Sequence, residues 1–248
     1  MTISMIALLL LAGFLSGAIN AVAGGGTFLT FGALTLAGLP PISANATSSI
    51  VQFPGYITST LAYAQEIRRS WRSAMVLVVV SVMGGAMGAL TLLALDNPSF
   101  RALVPWLLAG ATTLFTLGPL LKPKASTEHP VITPKGILGQ FVTAIYGGFF
   151  GAGMGIMMLA VLGLAAGGSY HHLNALKNLL AIVIAAIAIL IFVGGGVVAW
   201  MQALIMLPAV ALGGYAGVWM ARRVPQTAMR LVVIAVGIAL TLYYFFTG

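Results

Sequence analysis

The chain has 248 residues, 60% of them hydrophobic and 6% charged, with a mean hydropathy of +1.10. A soluble domain carries roughly a quarter charged residues, so water is excluded as the main solvent and the fold class is an all-α polytopic membrane protein. The absence of cysteine excludes disulfides, thiolate metal sites and cysteine redox chemistry.

The start, MTISMIALLL, has no basic n-region, so no cleaved signal peptide is expected. A first apolar segment covers 3–22, followed by AGGG at 23–26, a short apolar segment at 27–39 and Pro40-Pro41. Segment 43–65 carries the polar run Asn45, Thr47, Ser48 and Ser49 and leads into the basic stretch EIRRSWRS. Segments 74–95 and 102–121 flank LDNPSF, and KPKASTEHPVITPK at 122–135 reads as a linker. The second half runs 136–152, GAGMG at 151–155, a short segment 155–167, then 172–193, 196–220 and 229–246. At about 1.5 Å per residue the two short segments reach roughly 20 Å as helices, less than the bilayer core of about 30 Å.

Sliding the chain on itself by 129 residues places Gly26 on Gly155, and Ala23, Gly24, Gly26, Ala37, Gly38, Asn45 and Ala46 then meet identical residues. A long segment, a glycine break, a short segment and an Asn-Ala pair recur in that order, which defines repeat 1 at 1–121 and repeat 2 at 136–248. Nine of the eleven Lys and Arg fall in three connections: Arg68, Arg69 and Arg72; Lys122, Lys124 and Lys135; Arg222, Arg223 and Arg230. Basic residues in short loops mark the cytoplasmic side, which accounts for the net charge of +8 without nucleic acid. With all three connections inside, hairpin 3–39 starts and ends outside and hairpin 136–167 starts and ends inside. Each repeat is then an even-crossing hairpin plus three spans, so the repeats are inverted and both termini lie outside. A parallel arrangement, with one broken span per hairpin, would put Arg222, Arg223 and Arg230 outside. Arg101 is the one basic loop residue on the wrong side in the inverted arrangement.

Inverted repeats with interrupted helices meeting near the midplane are a design of secondary transporters. Backbone freed from helical hydrogen bonds at that depth must face protein or a water-filled cavity. Short segments starting after 24–26 and 153–155 would aim their positive N-terminal ends inward, toward an anion. The expected substrate-binding residues are Gly24, Gly25, Gly26, Thr27, Asn45, Thr47, Ser48, Gly153, Gly155, Asn174, Lys177 and Asn178. Glycines also permit close helix packing, and Gly147, Gly151 and Gly155 are spaced four apart as in GxxxG. GGFFGAGMG is not a dinucleotide fingerprint, because no βαβ unit surrounds it.

These stretches also carry a family resemblance. NAVAGGGTFLTFGALTLAGLPPISANATSSI, its weaker copy YGGFFGAGMGIMMLAVLGLAAGGSYHHLNALKNLL and the repeat layout resemble the TauE/SafE sulfite-exporter family over essentially the whole chain. The resemblance implies a multi-pass transporter of the bacterial-type inner membrane for sulfur-containing anions such as sulfite or organosulfonates. The second copy departs from the first, with Met154 for Gly25 and Lys177 for Ser48, and with His171 and His172 near its loop.

The acidic residues number three, Glu66, Asp96 and Glu128, and each falls in a loop. No embedded carboxylate is therefore available to carry a coupling proton or bind sodium in the usual way. A cationic substrate would find no countercharge. An anion would find Lys177, with His171 or His172 as a proton relay or as interfacial hydrogen-bonding groups. No cofactor or metal is called for. The expected partners are a small anion and the bilayer, and the competing readings are an anion channel and a non-transporting membrane scaffold.

Overall fold

The computed structural model describes the backbone of residues 1–22, 25–62, 71–117, 133–165, 170–220 and 226–247. The described residues form ten helices and no strand: α1 (Ile3–Val22), α2 (Thr27–Leu36), α3 (Pro41–Ala62), α4 (Trp71–Ala94), α5 (Asn97–Leu117), α6 (Pro134–Phe149), α7 (Met154–Ala165), α8 (Tyr170–Gly194), α9 (Trp200–Met220) and α10 (Gln226–Thr247). Stretches of α1, α4, α5 and α8 are long and apolar enough to cross a bilayer. Leu11, Leu90, Leu190, Leu204 and Leu212 point out of the bundle and are exposed, a surface that suits acyl chains and not water.

Helix ends differ from the hydropathy boundaries for local reasons. The Asp96 carboxylate accepts the Ser99 N–H at 3.0 Å, an N-cap that starts α5 at Asn97 rather than 102. Hydrogen bonds from Ser99 hold the Asp96 carboxyl below its ordinary range. Thr133 caps α6, accepting from Gly136 N at 3.2 Å, with Pro134 in the first helical position. α2 stops at Leu36 because Gly38 turns left-handed (φ 87°), with Gly38 N bonded to Thr35 O and Leu39 N to Leu34 O. Gly196 (φ 67°) ends α8 in the same way, so α9 begins at Trp200 and not at 196.

The first residues of α3, α4 and α5 are 41, 71 and 97; adding 129 gives 170, 200 and 226, the first residues of α8, α9 and α10. Packing follows the same exchange. α1 lies on α9 as α6 lies on α4, α3 lies on α9 as α8 lies on α4, and α3–α8 and α5–α10 meet their own counterparts. Glycines make the closest crossings, and their spacing matches at the same offset of 129. Gly84, Gly85 and Gly88 recur at Gly213, Gly214 and Gly217. A Cβ on Gly88 would come within 2.0 Å of Ile145 O, and one on Gly213 within 1.9 Å of Phe14 O. Only hydrogen at Cα lets backbones approach this closely.

Residue order across these crossings gives direction. Gly13 faces Met206 and Ala209 while Gly17 faces Val210 and Gly214, so α1 and α9 run the same way. Gly84 faces Phe141 and Ala144 while Gly88 faces Ile145 and Phe149, so α4 and α6 also run the same way. One end of the bundle gathers the start of α3, the α4–α5 turn, the end of α8 and the end of α10. Ile42 N donates to Asn97 Oδ1 at 3.2 Å, Gly195 packs on Leu93, and Arg101 Nη2 donates to Thr247 O at 2.7 Å. Arg101 therefore neutralises the carbonyl end of α10, a favourable place for a cation. Beneath this end Phe31, Phe100, Phe149, Phe150, Tyr146 and Tyr244 form an aromatic cluster.

Candidate functional site

Two glycine breaks bring the short helices to one place. Gly25 (φ 86°) precedes α2, and Gly151 (φ 77°) and Gly153 (φ 76°) precede α7. Thr27 and Met154, the first residues of α2 and α7, both line a cavity of about 20 Å³, room for about one water molecule. Ser49, Gln52 and Tyr56 of α3 complete one wall; Gly147, Gly151, Ala185 and Ala188 complete the other. The first half of the chain thus supplies the polar side chains and the second half an apolar surface. Along α2, Phe31 of the aromatic cluster stands one turn from the cavity-lining Thr27, on the side of the gathered helix ends.

Behind the polar wall is a buried network. Ser16 Oγ donates to Gly26 O at 2.7 Å, and Thr30 Oγ1 donates to Thr27 O at 3.1 Å. Thr30 and Ser48 share a hydroxyl–hydroxyl bond of 2.6 Å. Gln52 Nε2 donates to both Ser16 Oγ and Thr30 Oγ1. Gln52 Oε1 is buried and meets no donor among the described residues.

The expected residues separate into groups. Thr27 lines the cavity, Gly26 and Ser48 belong to the network, and Gly25 packs on Phe115 and Val233. Asn45 is buried beside the second hairpin instead, its Nδ2 donating to Phe149 O at 2.9 Å. Thr47 is also buried and accepts Ala199 N at 3.0 Å, fastening the α8–α9 connection. Gly153 supplies the left-handed turn before α7, and Asn178 is buried on α8. Lys177 is partly buried, and a Cβ on Gly155 would lie 3.6 Å from its Cδ. Gly24 and the side chains of His171, His172 and Asn174 lie outside the described residues.

Ser16, Thr30, Gln52 and Tyr56 were missed by the sequence reading. A signal for two of them existed: Asn45, Ser48 or Ser49, Gln52 and Tyr56 follow a helical spacing of three and four along α3. Ser16 and Thr30 are scattered hydroxyls in apolar segments, and only the fold of the hairpin brings them to Gln52.

This geometry agrees with what the chain is similar to. The family model for the sulfite exporter TauE/SafE matches residues 9–244. A probable membrane transporter protein of Haemophilus influenzae is 27% identical over 246 residues, covering 96% of this chain and 94% of the relative. Probable membrane transporter protein ORF9 of Sinorhizobium sp. is 30% identical over 167 residues, 66% of this chain and 63% of the relative. Probable membrane transporter protein YfcA of Escherichia coli K12 is 26% identical over 213 residues, 86% of this chain and 79% of the relative. With two short helices aimed at one buried cavity and a family match across nearly its full length, the chain belongs to the TauE/SafE sulfite exporter family of membrane transporters.

Proposed function

We propose that the protein is an alternating-access carrier for a small sulfur-containing anion of the sulfite or organosulfonate class. The observation that carries this reading is the convergence of the α2 and α7 N-termini on one cavity, at Thr27 and Met154. Helix N-termini carry partial positive charge and favour anions. The Thr27 and Tyr56 hydroxyls line the cavity as groups that can turn toward sulfonate oxygens, and the wall of Gly147, Gly151, Ala185 and Ala188 accepts an apolar body. A cavity of only about 20 Å³, with an aromatic cluster one turn away along α2, favours a carrier over a channel. The hairpins must part to admit substrate, the motion expected of interrupted helices.

We further infer that 1–121 and 136–248 are inverted repeats joined by a cytoplasmic linker, with both termini outside and the protein in a bacterial-type inner membrane. The supporting geometry is directional. α4 ends and α8 ends at the same end of the bundle, so the α6–α7 hairpin between them makes an even number of crossings. Flux in proteoliposomes tests the function. Sulfite, thiosulfate, sulfonates, sulfate and carboxylates are supplied in turn, and saturable counterflow of a sulfur anion is expected. Flux that never saturates and shows no counterflow overturns the carrier in favour of a channel.

A further inference from the structure

The two halves of the chain treat one position beside the glycine breaks differently. Subtracting 129 from Met154 gives Gly25, and subtracting 129 from Gly147 gives Ala18. In the first half a side chain at position 25 has no room, because a Cβ there would stand 2.7 Å from Phe115 and 2.9 Å from Val233. In the second half there is room. A Cβ on Gly147 would overlap Met154 Sδ and stand 3.1 Å from Met154 Cγ, so the thioether occupies the space that Gly147 leaves bare.

Met154 and Gly147 both line the cavity, together with Ala185 and Ala188. The lining has two large side chains: Tyr56 ends in a hydroxyl, and Met154 ends in an apolar thioether methyl. Met154 is also buried and is the first residue of α7. An anion drawn to that helix end, with an apolar body against Gly147, Ala185 and Ala188, has the Met154 side chain beside that body. Glycine and alanine present walls of fixed shape. Methionine turns about several bonds and fills whatever gap is left.

We propose that Met154 determines specificity, its side chain setting the length of the apolar body that the carrier accepts behind the anionic head. The proposal deepens the anion reading and rests on it. With Met154 in place the cavity measures about 20 Å³. Whatever space the parting hairpins add is shared between the substrate body and the thioether. In such an apolar pocket one methylene too many is discriminated against by about 10- to 200-fold. The preferred substrate is therefore an anion with a short body.

The test is a chain-length series, from methanesulfonate to hexanesulfonate, in proteoliposomes holding the full chain. Initial flux at low concentration is expressed relative to methanesulfonate in the same variant, so the amount of folded protein cancels. Met154→Ala removes Cγ, Sδ and Cε and should raise the length limit by about three carbons. The first sulfonate beyond the wild-type limit should gain about 10- to 200-fold in relative flux. Gly147→Ala drives the flexible Sδ end off its seat and into the space the substrate body uses, and should lower the limit. General destabilisation does not produce opposite shifts. If Met154→Ala fails to fold, the direction of the Gly147→Ala shift decides alone. Identical length profiles in wild type and both variants overturn the role of Met154 and leave the anion carrier intact. A wild-type protein that moves neither sulfite nor any sulfonate overturns the anion reading itself, and the proposal with it.

Discussion

Gly148 of α6 lies against Gly85 of α4 so closely that a Cβ on Gly148 would stand 2.1 Å from the Gly85 carbonyl oxygen. The α1–α9 crossing repeats the relationship: a Cβ on Gly17 would stand 2.2 Å from Val210 O. Backbone cannot yield as a flexible side chain can, so Gly148→Ala and Gly17→Ala should each cost about 1–3 kcal/mol through overpacking. Gly110 has nothing within 4 Å of its Cβ position, and Gly110→Ala should leave the thermal midpoint unchanged or raise it. Equal midpoints for all three variants would show that these crossings open in the membrane.

Orientation can be read by labelling, because the chain has no cysteine of its own. Gly194 at the end of α8 is exposed with open space around it, and Lys135 at the start of α6 is exposed. An impermeant maleimide should label Gly194→Cys in intact cells and Lys135→Cys only after permeabilisation. The opposite pattern would place the basic connections outside and reject the proposed topology.

Asn45 is engaged by structure. Its Nδ2 donates to Phe149 O, next to the Gly151–Gly153 break. Asn45→Asp removes the donor and sets a carboxylate against a buried carbonyl, and the loss of such a bond costs about 1–3 kcal/mol. A lowered thermal midpoint for Asn45→Asp is expected, with reduced flux following from it. An Asp variant of normal stability that fails to transport would make Asn45 a substrate ligand instead.

Lys177 is expected to act on transport and not on folding. Its stem runs beside Gly155, one residue from the cavity-lining Met154, and a lysine there needs water, a partner or an anion. Lys177→Met should reach the membrane at normal levels and lose anion flux, while Lys177→Arg keeps part of it. Unchanged apparent affinity in the Met variant would reduce Lys177 to an interfacial anchor.

Composition and apolar length alone were enough to read the solvent of the protein, the order of the ten described helices and the position of both breaks. Apolar length, glycine and charge placement are local properties, and α1 falls on the expected 3–22. Helix ends were less legible where a cap or a left-handed glycine decides them, as at Asp96 and Gly196. The polar run named a stretch of α3 that borders the cavity without separating its members. Side chains one residue apart on a helix face different neighbours, and those neighbours lie far away in sequence. Asn45 meets Phe149, Thr47 meets Ala199 and Ser48 meets Thr30. Only the tertiary structure could make Ser16, Thr30 and Gln52 a single network. Ser16 and Thr30 come from opposite arms of a hairpin, and no local pattern in the chain records which face each arm turns toward α3.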